Sequence, residues 1–192
     1  MKNIWTGALL AAGFMMTSTA IYAGGPAAAG ATASSRDAEF LQTICDDSLM
    51  VQRIGELANQ RSQDSRVKQV CQSLALDYGK AREQFSATAQ TLGVPIAPAP
   101  SARASRTIEK LRSISGRGFD KAALRDLVKS AQAVTRKIQD ESARGDNPAL
   151  KQLASSILPQ LQDDIYQVVT LESDLKTTAS AATGTFGPGA GL

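Results

Sequence analysis

Histidine is absent from this sequence of 192 residues. The chain therefore lacks the commonest general base and the commonest protein ligand for transition metals. It also has no phosphate-binding Gly-rich loop, no Gly-x-Ser-x-Gly elbow and no Cys-x-x-Cys pair. These are the usual sequence signals of nucleotide hydrolysis, serine hydrolysis and thiol redox chemistry. We expect a protein that is not an enzyme and that carries no cofactor.

An excess of one charge is also lacking, since 21 Lys and Arg face 18 Asp and Glu. No basic run is interleaved with aromatic residues, so we expect no nucleic-acid partner. One local basic stretch does occur, and we interpret it as a solvated face; the alternative is a weak contact with an anionic envelope partner such as membrane headgroups. Its residues are Arg103, Arg106, Lys110, Arg112 and Arg117.

The chain has one notable apolar run, and it lies at the N-terminus. Lys2 is followed by apolar residues from Trp5 to about Met16, and Ile21 and Ala23 occupy the positions that a signal peptidase reads. This pattern predicts a signal peptide over residues 1–23 and a periplasmic or secreted protein. An N-terminal membrane anchor is the alternative, although the run is too short to span a bilayer as a helix.

Strand signals are missing, because no window alternates with period two. Segments 24–36 and 177–192 are rich in small residues, and we predict a disordered tether and a disordered tail there. Between them, residues 37–176 are predicted to form the folded domain. Pro159 is expected to kink the last helix. The predicted helices cover residues 37–60, 65–92, 106–114, 120–143 and 148–176.

Apolar residues recur at spacings of three and four in the long helices. Such a seam faces neighbouring helices. We therefore predict an all-α, up-down four-helix bundle, with a longer connection after the second helix that carries the short extra helix. The seams are Val67, Cys71, Leu74, Tyr78, Ala81, Phe85, Thr88 and Leu92; Leu124, Leu127, Ala131, Val134 and Ile138; and Leu150, Leu153, Ile157, Leu161, Asp164, Val168, Leu171 and Leu175.

Only two cysteines are present, Cys45 and Cys71. In an ideal hairpin of the first two helices their levels differ by about 12 Å, at a rise of about 1.5 Å per residue. A disulfide needs Cα atoms closer than about 7 Å. We predict two unpaired thiols, with Cys71 buried on its seam.

Asp164 is the one clear acid on a seam, and a buried carboxyl needs a partner or becomes neutral. Tyr78 also has a polar tip on an apolar stripe, so we predict a polar centre with a Tyr78–Asp164 hydrogen bond. Asp77 and Arg53 are further candidates for this centre. The alternative is that Asp164 lies at the edge of the seam and is solvated.

Four segments resemble the DUF4142 family of exported bacterial proteins with a ferritin-like fold. They are DAEFLQTICDDSLMVQRIGELA (37–58), VKQVCQSLALDYGKAREQF (67–85), GFDKAALRDLVKSAQAV (118–134) and NPALKQLASSILPQLQDDI (147–165). The resemblance implies a ferritin-like bundle with metal-site histidines on three helices. Here the histidine positions hold Tyr78, Ala131 and Asp164, and a glutamate expected near Arg53 is missing. The resemblance therefore implies a degenerate metal site and no bound metal.

Three functions are compatible with these patterns. The favoured one is a non-catalytic envelope protein that binds a partner or has a role in stress tolerance. The second is a metal-binding or redox bundle that uses Asp77, Asp164 and the thiols. The third is storage of a small apolar ligand between the helices, which a cavity beside Ala131 would favour.

Overall fold

The structure, a computed structural model, describes residues 33–183. It contains five helices and no strand within this range. Four of them form a bundle in which α1 neighbours α2 and α4, while α5 neighbours α2 and α4. The short α3 lies in the connection between α2 and α4. The predicted all-α four-helix bundle with an extra helix is confirmed. The helices are α1 (Ser35–Arg61), α2 (Ser65–Thr91), α3 (Ala102–Ser113), α4 (Arg117–Arg144) and α5 (Pro148–Thr183).

Serine caps place two helix starts earlier than we predicted. Ser34 forms a capping box with Asp37, in which each side chain accepts from the other residue's backbone N–H, so α1 begins inside the predicted tether. Ser101 Oγ accepts from Ala104 N at 3.2 Å, and α3 therefore begins at Ala102 rather than at residue 106. The predicted signal peptide and residues 24–32 of the tether lie outside the described residues.

Helix α5 also differs from the prediction. It continues to Thr183, into the segment 177–192 that we predicted as a disordered tail, and residues 184–192 lie outside the described range. The Lys176–Glu172 ion pair at 2.9 Å and the alanines that follow favour helix beyond residue 176. Pro159 lies inside α5, which is one helix on both sides of it.

The seams form the core. Val67, Leu74, Phe85 and the α4 seam from Leu124 to Ile138 are at most 1% exposed. Toward the ends of the helices, the buried positions differ from the predicted seam positions. Ala89 and Ala154 are fully buried, while the predicted positions Thr88, Leu92, Leu153, Ile157 and Leu175 are only half-buried. A helix of 3.6 residues per turn drifts away from a strict 3.5-residue repeat, and this drift explains the shift. No described helix is long and apolar enough to cross a membrane.

A glycine lets α1 and α2 approach closely. A Cβ added at Gly55 would lie 2.7 Å from the Cys71 carbonyl oxygen and 3.1 Å from the Ala75 Cβ. Gly79, in contrast, would place its Cβ at least 3.4 Å from the flexible Gln52 side chain. The backbone separation of α1 and α2 therefore depends on Gly55.

Polar contacts attach α3 to the bundle at both of its ends. Asp46 Oδ1 accepts from Ser101 N at 2.7 Å at the start of α3. Arg61 donates to the carbonyls that end it, with 2.6 Å to Ile114 O, and its guanidinium lies 4.5 Å from the Phe119 ring centroid. These contacts fix the position of the side chains that α3 presents to α4.

We predict that Gly55→Ala lowers the free energy of unfolding by about 1–3 kcal/mol, because the new methyl group meets backbone that cannot move independently. Gly79→Ala is the matched control. It should be neutral or raise stability by about 0.5–1 kcal/mol, since it removes a helical glycine without a clash. Urea unfolding of both variants measures this, and equal effects would show that the contact at Gly55 does not limit packing.

Candidate functional site: the buried polar centre

The Tyr78 side chain fills the middle of the bundle and is 0% exposed. Its hydroxyl donates to the Ala131 carbonyl oxygen at 3.2 Å. Because a phenol has one proton, the Thr135 hydroxyl donates in turn to the Tyr78 oxygen at 3.1 Å. Tyr78 and Ala131, two of the positions where the family resemblance places histidines, are thus in direct contact across the bundle.

Asp164 lies on α5 and is also 0% exposed. Its Oδ1 accepts a long hydrogen bond of 3.4 Å from Gln160 Nε2, and its Oδ2 has no partner among the described residues. The predicted Tyr78–Asp164 hydrogen bond is therefore wrong, because the Tyr78 hydroxyl is directed to α4. The solvated alternative for Asp164 is wrong as well.

Asp77 and Asp164 both accept a hydrogen bond from the side-chain amide of Gln160. Gln160 Nε2 donates to Asp77 Oδ2 at 3.3 Å as well as to Asp164, and Lys80 Nζ donates to Asp77 Oδ1 at 3.0 Å. Arg53 is not part of this centre. It is exposed on α1 and forms an ion pair with Glu56 at 2.8 Å.

Burial controls the electrostatics of the centre. It raises the pKa of Asp164 to about 6, and the negative charge of Asp77 raises it further while the Gln160 hydrogen bond opposes the change. Burial also raises the pKa of Tyr78, so the phenol stays protonated in the physiological range and remains a donor.

The residues at the three family histidine positions do not form a donor set that fits a metal ion. Tyr78 and Ala131 offer no free ligand atom, since the phenol is already engaged with Ala131 and Thr135. Within residues 33–183 no three His, Cys, Asp or Glu side chains are placed to hold a metal. Asp77 and Asp164 remain as two carboxyls linked by Gln160.

Cys45 and Cys71 are both buried, and they form no disulfide with each other. Cys45 Sγ is 3.4 Å from Ser86 Oγ, between α1 and α2. Cys71 packs at the close approach near Gly55. Burial raises the pKa of Cys71 to about 12 and also raises that of Cys45, so both thiols are protonated and unreactive near neutral pH.

The basic stretch divides between opposite faces of α3. Arg103 pairs with the buried Asp47 of α1, and Arg112 pairs with Glu109 at 2.6 Å. Lys110 lines a groove that faces α4, and Arg106 is exposed. Arg117 begins α4.

Sequence reasoning missed residues that α1 and α4 bring to this face. Asp47 accepts from both Arg103 and Lys137, while Lys129 and Ser130 line the same groove as Lys110. Asp47 had a readable signal, since Ile44, Asp47 and Val51 follow the spacing of three and four.

The fold and the filled centre define a ferritin-like helical bundle. The crystal structure of a DUF305 fragment from Deinococcus radiodurans is similar, with a TM-score of 0.64 and 15% sequence identity, covering 74% of this chain and 99% of that chain. At this identity the likeness shows the fold alone. It confirms the predicted ferritin-like arrangement.

The chain belongs to the DUF4142 family, described as a domain of unknown function, whose family model matches residues 23–171. This match confirms the resemblance found in the four sequence segments. No curated protein matches the chain.

We predict that Asp164→Asn removes a pH-dependent destabilisation. The pKa of Asp164 is about 6 in the folded protein against 3.8 for an unperturbed aspartate. The folded state therefore holds the proton over this interval, and stability falls as pH rises from about 4 to 6. The variant should match the wild type at pH 4 and exceed it by up to about 3 kcal/mol at pH 7.5.

Denaturant unfolding at the two pH values measures the difference. Asp163→Asn is the control, because Asp163 is the exposed neighbour and carries the same charge. A constant offset between wild type and Asp164→Asn at both pH values would contradict the burial of the charge.

Proposed function

We propose that this chain is an exported, non-catalytic helical-bundle protein of the cell envelope that acts by binding a partner. Export is supported by the signal pattern of residues 1–23. The observation that carries the non-catalytic part is the Tyr78 side chain, whose ring fills the bundle centre and whose hydroxyl is used in hydrogen bonds to α4.

The reactive groups of the chain support binding rather than catalysis. Catalysis needs a titratable group that reaches a substrate in a pocket. Asp164 has the shifted pKa that marks many active sites, but its side chain is 0% exposed. Cys45 and Cys71 are buried and protonated. Because the Asp164 carboxyl is completely buried, we attribute its raised pKa to the packing of the core and not to a catalytic role.

The outer surface offers the better binding features. Grooves lie where α3 packs against α1 and α4, and Arg103, Lys110 and Lys129 border the groove beside α4. Such a surface favours an anionic envelope partner, while the near balance of charges disfavours nucleic acid.

Fractionation and elemental analysis test this function. After production of the full chain in a bacterial host, we expect the periplasmic or secreted fraction to hold a protein that begins at Gly24, measured by intact mass. We expect the purified protein to contain no stoichiometric iron, manganese or zinc. The uncleaved chain in the cytoplasmic fraction would refute export, and the uncleaved chain in the membrane fraction would favour an N-terminal anchor. A stoichiometric metal would favour the metal-binding alternative.

A variant that restores histidines at the three family positions is the matched control for the metal measurement. The triple variant Tyr78→His, Ala131→His, Asp164→His places imidazoles on α2, α4 and α5. Metal uptake by this variant, but not by the wild type, would show that the replaced residues account for the difference.

A further inference from the structure

We infer that the groove between α1, α3 and α4 binds a phosphate group, from a soluble phosphate compound or a phospholipid headgroup. This inference rests on the proposed binding function and names the chemistry of its ligand. We call the groove the α3–α4 groove. Its volume is about 270 Å³. The residues that line it include Met50 and Asp47 of α1, Arg103, Thr107 and Lys110 of α3, and Asp126, Lys129 and Ser130 of α4.

The carboxylates of the groove are already neutralised. Asp47 is 4% exposed and accepts from both Arg103 and Lys137. Asp126 accepts from Arg125 Nε at 3.2 Å. These two acids therefore face three cationic partners, and they leave no negative charge to repel an anion.

The two lysines that line the groove form no ion pair with another described residue. Lys110 extends from α3 and Lys129 from α4, and both residues line the same groove. With the three paired cations and two carboxylates, the local charge is +3. A lysine ammonium binds phosphate as a point charge, and two like charges that border one groove are stabilised when an anion lies between them.

The groove wall adds a hydrogen-bond donor. Ser130 is only 9% exposed, lines the groove, and its hydroxyl forms no hydrogen bond with another described residue. The Ser130 oxygen is not one of the fully enclosed polar atoms of the described residues, so its hydroxyl is accessible from the groove as a donor. Two ammonium groups and one hydroxyl suit a tetrahedral anion, which accepts hydrogen bonds from several directions at once.

The groove is also preorganised, because α3 cannot shift freely. Its start is held by the Asp46–Ser101 contact and its end by Arg61, while Arg103 and Asp47 join it to α1 at the groove itself. The backbone of α3 at Lys110 therefore keeps its place on the groove wall in the absence of a ligand, which lowers the entropic cost of binding.

Titration of the signal-cleaved chain tests the inference. Calorimetry with inorganic phosphate and with glycerol 3-phosphate, at low ionic strength, measures the soluble source. Co-sedimentation with vesicles of phosphatidylglycerol, against vesicles of phosphatidylcholine, measures the headgroup source. Low salt is needed because screening weakens contacts with exposed charges. We expect saturable binding in at least one of these arms.

Variants distinguish the groove from general surface charge. Lys110→Gln with Lys129→Gln should weaken binding about tenfold or more, and Ser130→Ala should weaken it by a smaller factor. Lys121→Gln with Arg136→Gln is the matched control, because it removes the same charge from exposed residues of α4 that do not line the groove. The control should change binding less than about twofold.

Two outcomes overturn the inference: no binding in any arm, or equal losses in the groove and control variants. Either outcome leaves the export and metal measurements unaffected, because those readouts do not involve the groove. Circular dichroism of each variant confirms the fold, and the exposed positions of Lys110 and Lys129 make misfolding an implausible cause of lost binding.

Discussion

The hydrogen bonds of the Tyr78 hydroxyl to α4 are the constraint on which the bundle centre depends. A tyrosine can be buried completely only if its hydroxyl finds partners, and Ala131 O and Thr135 Oγ1 supply them. The contact joins α2 to α4, helices that are diagonal to each other in the bundle, since each has α1 and α5 as its main neighbours. The Tyr78 side chain therefore fills the space between the helices. Its hydrogen bonds also hold the hairpin α1–α2 in position against the hairpin α4–α5.

The orientation of Tyr78 decides the state of Asp164. With the phenol directed to α4, Asp164 keeps only the long bond from Gln160, and its second oxygen stays without a partner. Burial, with added repulsion from the neighbouring Asp77, raises the pKa of Asp164 to about 6. The centre therefore contains a titratable carboxyl, that of Asp164, which a ligand in solvent does not reach. This is the physical reason for placing function on the outer surface, where α3 brings cationic side chains beside α4.

Much of the fold could be predicted from the sequence, because spacing alone identifies the face of a helix that is buried. The α4 seam and the central positions of α2 and α5 were identified in this way, and the predicted starts of α2 and α5 at residues 65 and 148 agree with the structure. The partner of Tyr78 could not be predicted, since a seam position gives the direction of a side chain only to within the width of the stripe. Residues Val134 and Thr135 are adjacent, and only the rotation of α4 decides that Thr135 reaches the phenol. The α3–α4 groove could not be predicted from the sequence either, because Lys110 and Lys129 line one groove only when α3 is packed against α1 and α4.

The most direct test of this account is a double-mutant cycle between Tyr78→Phe and Thr135→Val, measured by urea unfolding at pH 7. Both substitutions keep the shape of the side chain and remove one hydroxyl. We predict that the single losses are not additive, with a coupling energy of about 1 kcal/mol between the two hydroxyls. Additive losses would show that the Tyr78 and Thr135 hydroxyls do not bond to each other, and no loss on Tyr78→Phe would show that the Tyr78 hydroxyl forms no stabilising bond to α4. Either result would contradict the account of the centre.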